Sequence, residues 1–61
     1  MTDPKLVDIA CEVMAESKAA YRIYDGTTTE WVPKSQVELH RDGRNTVVVM
    51  PLWLAKAKGF L

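Results

Sequence analysis

The sequence lacks most of the staples that hold very small proteins together. It has a single cysteine, Cys11, so no intramolecular disulfide can form, and the disulfide frameworks of secreted mini-proteins are excluded. A lone thiol suits a reducing compartment, and the expectation is a cytoplasmic protein. There is one histidine, His40, far from Cys11 in sequence. The local Cys and His clusters of structural zinc sites are therefore missing, and no metal or other cofactor is expected. No apolar run approaches the ~18 residues of a membrane span. The first residues show no basic region followed by an apolar stretch. No membrane partner is expected. The chain has no net charge either: eight Lys plus Arg balance eight Asp plus Glu. That argues against the strongly basic class of nucleic-acid binders.

What is present is a globular composition on a short chain. Hydrophobic residues make up 48% of 61 positions, too many for a disordered segment. A chain of about 60 residues buries only about 60% of its unfolded surface. Its core rarely supplies more than ~3–5 kcal/mol. With no disulfide or metal to add, self-association is one way to gain stability. The charges are also segregated. Residues 1–30 carry six acids and three bases, net −3, and residues 31–61 carry five bases and two acids, net +3.

Periodicity points to a mainly β domain. Val7, Ile9, Cys11 and Val13 alternate with Asp8, Ala10, Glu12 and Met14, the period of a half-buried strand. The same stretch also fits a helix, with Leu6, Ile9, Ala10 and Val13 on one stripe and Asp3-Pro4 as a start. The β-branched residues and the like charges four apart favour the strand. Strands are expected near 5–15, 19–25, 28–32, 37–41 and 45–50, with Asp25-Gly26 and Asp42-Gly43 as turns. Pro33 to Gln36 reads as a bend or a single 3₁₀ turn, pinned by Ser35 and Gln36 side chains. Pro51 opens a helix near 51–58, which Gly59 closes. One domain over residues 1–61 follows: a small antiparallel meander or SH3-like barrel of four to five strands with a short C-terminal helix. The expected core is Val7, Ile9, Val13, Tyr21, Ile23, Val32, Val37, Leu39, Val47, Val49, Leu52 and Phe60.

Three segments carry a resemblance that spans nearly the whole chain. They are Asp8 to Ala19 with Glu16-Ser17-Lys18-Ala19, then Trp31-Val32-Pro33-Lys34-Ser35-Gln36, then Pro51-Leu52-Trp53-Leu54-Ala55 through Lys58-Gly59. In these the sequence resembles a group of small accessory proteins found in phages, prophages and bacterial accessory DNA. The resemblance implies a strand for the first segment and a phage-associated context. Leu52 departs from the group's pattern, which often has an acid after the proline.

The candidate chemistry is thin. Lys34-Ser35 has no preceding glycines to cradle a phosphate, and Pro33 lacks an N–H. Ser35, His40 and Asp42 hold the atoms of a hydrolase triad, but a triad is defined by geometry and an oxyanion hole. Catalysis is not expected. Asp8, Glu12 and Glu16, ~13 Å apart from one to the next on a strand, are too far apart for paired catalytic carboxylates. They read as a solvated acidic face that guards an edge. The candidate binding surface is Trp31, Lys34, Arg41, Arg44, Trp53, Lys56 and Lys58. Its bases and aromatics can meet a protein, or stack and pair with a single-stranded nucleic acid. Met14, Met50, Leu52 and Trp53 add apolar surface for a partner. The expected function is therefore non-enzymatic binding through protein–protein contact, with a second copy among the candidate partners. Nucleic-acid binding is the second reading.

Overall fold

A computed structural model of the chain describes residues 5–43 and 45–61. In order it contains β1 (Leu6–Ala10), β2 (Glu12–Glu16), β3 (Ala20–Tyr24), β4 (Thr29–Pro33), a single 3₁₀ turn (Lys34–Gln36), β5 (Glu38–Asp42), β6 (Asn45–Pro51) and α1 (Leu52–Lys58). The fold is mainly β, wholly antiparallel in its pairings, with a short C-terminal helix. Six strands replace the four to five expected. The stretch near 5–15 is extended, as the β-branched residues indicated, but it is two strands. It turns at Cys11 and passes from one three-stranded sheet (β1–β6–β5) to another (β2–β3–β4). The Cys11 amide donates to the Thr46 carbonyl at 3.0 Å, which ties the crossover to the start of β6.

Register determines which residues meet in the core. Across the first sheet Ile9 lies opposite Val48, and Val48 opposite Leu39. Across the second, Val13 lies opposite Ile23, and Tyr21 opposite Val32. Ile9, Ile23, Val32, Val48, Met50, Leu54, Ala55 and Phe60 are buried together, with Val7, Cys11, Val13, Tyr21, Val37 and Leu39 packed around them. On β6 two of the expected core residues give way to their neighbours. Val47 and Val49 face outward and are half-buried, while Val48 and Met50 are fully buried. Every position from Val47 to Met50 is apolar, so the strand carries no phase of its own. The pairing of Val48 with Ile9 and Leu39 supplies it. Met50 is thus part of the core and not surface left for a partner. Leu52 is half-buried, and Leu54 and Ala55 take the inward side of the helix.

The connections follow from their residues. Ser17 Oγ accepts from the Ala20 amide at 3.0 Å and the Ser17 amide donates to the Ala20 carbonyl at 2.8 Å, closing the β2–β3 turn. In the β3–β4 turn the Asp25 carboxylate accepts from the amides of Thr27 and Thr28 at 2.9 and 2.7 Å. Gly26 supplies the positive φ of 106° that follows. The 3₁₀ turn has no side-chain cap, and Ser35 and Gln36 are exposed. The bend is held instead by the Lys34 amide donating to the Ala19 carbonyl at 2.8 Å. Pro51 is extended at the N-cap of α1, and the Leu52 amide donates to the Lys5 carbonyl at 2.7 Å. Gly59 ends the helix at φ 85°, where the Gly59 and Phe60 amides reach the Lys56 and Ala55 carbonyls. Such a left-handed cap strongly favours glycine. The Thr28 hydroxyl then donates to the Gly59 carbonyl at 3.3 Å, so the helix that leaves one sheet is tied to the turn of the other. Among the described residues no pairing joins β4 to β5, and the two sheets do not close into a barrel.

Candidate functional site

The residues that sequence reading grouped as one surface lie on separate elements. Trp31 is on the outward face of β4, 43% exposed. Lys34 opens the 3₁₀ turn. Its ammonium group is paired with Glu16 and lies over the Tyr21 ring, 4.9 Å from the centroid. Arg41 is exposed on β5, opposite Thr46. Trp53, 57% exposed, and exposed Lys56 stand one turn apart on α1, and Lys58 in its last turn is half-buried. Arg44 lies outside the described residues. Of the four exposed members, Trp31 belongs to the second sheet, Trp53 and Lys56 to the helix, and Arg41 to the first sheet.

A feature that sequence reading missed lies on the outward face of β2–β3–β4. The pairing of β2 with β3 shifts between Val13 and Ala15, so Met14 is the extra residue of a β-bulge. A bulge can re-aim a side chain, and Met14 is 56% exposed. Beside it, Ala15, Arg22 and Trp31 form one cross-strand row, since Arg22 lies opposite both of the others. A second row holds Glu12, Tyr24 and Thr29. The Tyr24 hydroxyl donates to the Gly26 carbonyl at 2.8 Å. An exposed apolar pair thus flanks a central guanidinium, with one carboxylate on the neighbouring strand. The only sequence signal for this was the presence of Met14 and Trp31 in alternating segments. The bulge that places Met14 depends on strand pairing.

The bulge also redistributes the acids. Asp8 lies on the outward face of the first sheet, opposite Val49. Glu12 is outward on the second sheet, whereas Glu16 lies opposite Tyr21 and pairs with Lys34. The expected single acidic face is therefore divided. The crossover at Cys11 separates Asp8 from the others, and the bulge inverts the phase between Glu12 and Glu16.

A cleft of about 500 Å³ opens where the strand crosses between the sheets. Its lining includes Cys11, Glu12, Tyr24, Asp25, Asn45 and Thr46. Burial pushes the half-buried Cys11 thiol above its usual pKa. The Asp25 charge acts in the same direction, and a backbone hydrogen bond at Val48 acts against it. The thiol is therefore protonated near neutral pH and is a weak nucleophile. The Thr28 and Thr27 amides hold the Asp25 carboxyl below its usual range. The described lining residues include no histidine or lysine, and Glu12 and Asp25 are the carboxylates there. No group of three metal-ligating side chains occurs among the described residues. No helix among them is long and apolar enough to cross a membrane. Comparison with protein-family models, curated proteins and solved structures finds no match.

Proposed function

We propose that this chain is a small non-enzymatic binding protein that acts by protein–protein contact in the cytoplasm. The observation that carries this reading is the exposure of Met14, Trp31 and Trp53 on a domain with only eight buried hydrophobic residues in its described core. A chain with so small a core gains from burying large apolar side chains, and aromatic anchors left in water are the usual centres of protein interfaces. The resemblance to phage and prophage accessory proteins supplies the context: a partner among host or phage replication, repair or defence components. Two three-stranded sheets sharing one core, with a 3₁₀ turn at the unpaired β4–β5 seam, support reading the fold as an SH3-like barrel opened at that seam.

Nucleic-acid binding is the second reading, and one observation favours it: Arg22 and Trp31 are cross-strand neighbours on an open sheet face, the pairing of base and aromatic that holds single strands. The balanced charge and the neutralisation of Lys34 by Glu16 weigh against it. The test compares capture from host lysate by the wild-type chain and by Trp31→Ser and Trp53→Ser. A protein retained by the wild type and lost with either variant is the expected result. The contact reading fails if no protein is retained and oligonucleotides bind instead, with an affinity that falls by orders of magnitude between ~50 and ~200 mM salt.

A further inference from the structure

The two outward sheet faces differ in what they can meet. On the β1–β6–β5 face, Asp8 and Glu38 stand on either side of Val49, so two such faces brought together would oppose like charges. The β2–β3–β4 face carries one acid and one base, Glu12 and Arg22, on neighbouring strands and two positions apart in register. Neither has an ion-pair partner among the described residues, where Lys34–Glu16 is the one pair. Around them are exposed Met14 and Trp31 and half-buried Ala15, Ala20, Tyr24 and Pro33.

We propose that the outward face of the β2–β3–β4 sheet docks against the same face of a second copy of the chain. This rests on reading the protein as a contact module. A twofold pair is self-complementary by construction. Arg22 of each chain then meets Glu12 of the other, and the exposed Met14 and Trp31 at the rim of the face add apolar contact. The contact is face to face. The bulge at Met14 disrupts the ladder on the β2 edge and Pro33 removes a donor from β4, and both features discourage strand addition. Three strands of five residues span about 14 by 17 Å. That is smaller than the ~800 Å² per partner of a standard interface, so the dimer is weak and reversible.

Sedimentation equilibrium of the full chain between about 10 µM and about 1 mM, the range of a weak complex, tests this. The average mass should climb from 6.9 kDa toward twice that value. Arg22→Glu and Glu12→Arg should each weaken association by roughly tenfold or more, and the double charge swap should restore it. Both side chains are exposed, so circular dichroism should show the fold unchanged in all three variants. A monomer throughout the range overturns the inference. So does a dimer that ignores both charge reversals and dissociates with Trp53→Ser. A monomeric chain that still captures a protein through Trp31 overturns the self-pairing while leaving the contact reading intact, and so separates the two.

Discussion

The two sheets place their charges in opposite ways. In β1–β6–β5 the central strand is aliphatic on its outer face, at Val47 and Val49, and the flanking strands supply Asp8 and Glu38. In β2–β3–β4 the central strand carries Arg22 outward, and the flanking strands supply Met14 and Trp31. Both faces mix apolar and charged residues. In the first the apolar centre is shielded by charged neighbours and is only half-exposed. In the second the charge is central and the apolar groups stand at the rim, 43% and 56% exposed. Composition does not distinguish these faces. The positions of the residues in the register do: they put the charges at the rim of one face and at the centre of the other.

The inward sides of the same sheets are alike, and that contrast is the easiest to break. Ile23 from the second sheet and Met50 from the first are both fully buried. Truncating either to alanine should cost about 2–5 kcal/mol, most of the ~3–5 kcal/mol such a core provides. Both variants should be largely unfolded in urea titrations followed by circular dichroism. If only one collapses, the two sheets do not share one core. Next in size is Gly59, whose φ of 85° places it in the left-handed region. There a Cβ costs about 1–2 kcal/mol, although the new methyl group would meet only the Thr28 methyl at an ordinary 3.8 Å. Gly59→Ala should lower the unfolding midpoint without changing its slope, because backbone strain is added and no core contact is lost.

Lys34→Met removes both the partner of Glu16 and the cation over the Tyr21 ring. Lys34 and Glu16 are both solvent-accessible, so a double-mutant cycle with Glu16→Gln should give a coupling of below about 1 kcal/mol. Trp31→Ser, on the outward face, should change stability by within about 0.5 kcal/mol. The contrast with Ile23→Ala, eight positions earlier, measures inner face against outer. The smallest effect concerns pH. The folded Asp25 carboxyl titrates below its unfolded value because the Thr28 and Thr27 amides stabilise the charge. The stability it contributes is complete above an unfolded pKa of about 3.9 and is lost as pH falls through the lower folded value. Thermal melts between about pH 5 and about pH 2.5 should therefore show a smaller drop for Asp25→Asn than for the wild type.

Much of this architecture can be read locally. The turns at Asp25-Gly26 and Asp42-Gly43, the proline that opens the helix region and the glycine that ends it all act within a few residues. They were legible because their φ preferences and hydrogen bonds are local. The outer-face cluster was not. Met14 owes its position to a bulge, which is a mismatch between two strands and has no signature in either one alone. The divided acids, the inverted phase of Val47 to Met50 and the buried Met50 have the same origin. Each depends on which residue of another strand lies opposite.

The sequence by itself determined a small, mainly β chain without disulfides, with balanced charge, a β-branched stretch near 5–15 and a capped C-terminal helix. Alternation, turn chemistry and composition are properties of neighbouring residues. Only the tertiary structure decided that the first extended stretch bends at Cys11 to serve two sheets, that Val48 and Met50 and not Val47 and Val49 enter the core, and that Met14, Arg22 and Trp31 share a face. The physical reason is the two-residue period of a strand. Alternation says that one set of side chains faces inward, and pairing with a distant strand decides which set that is.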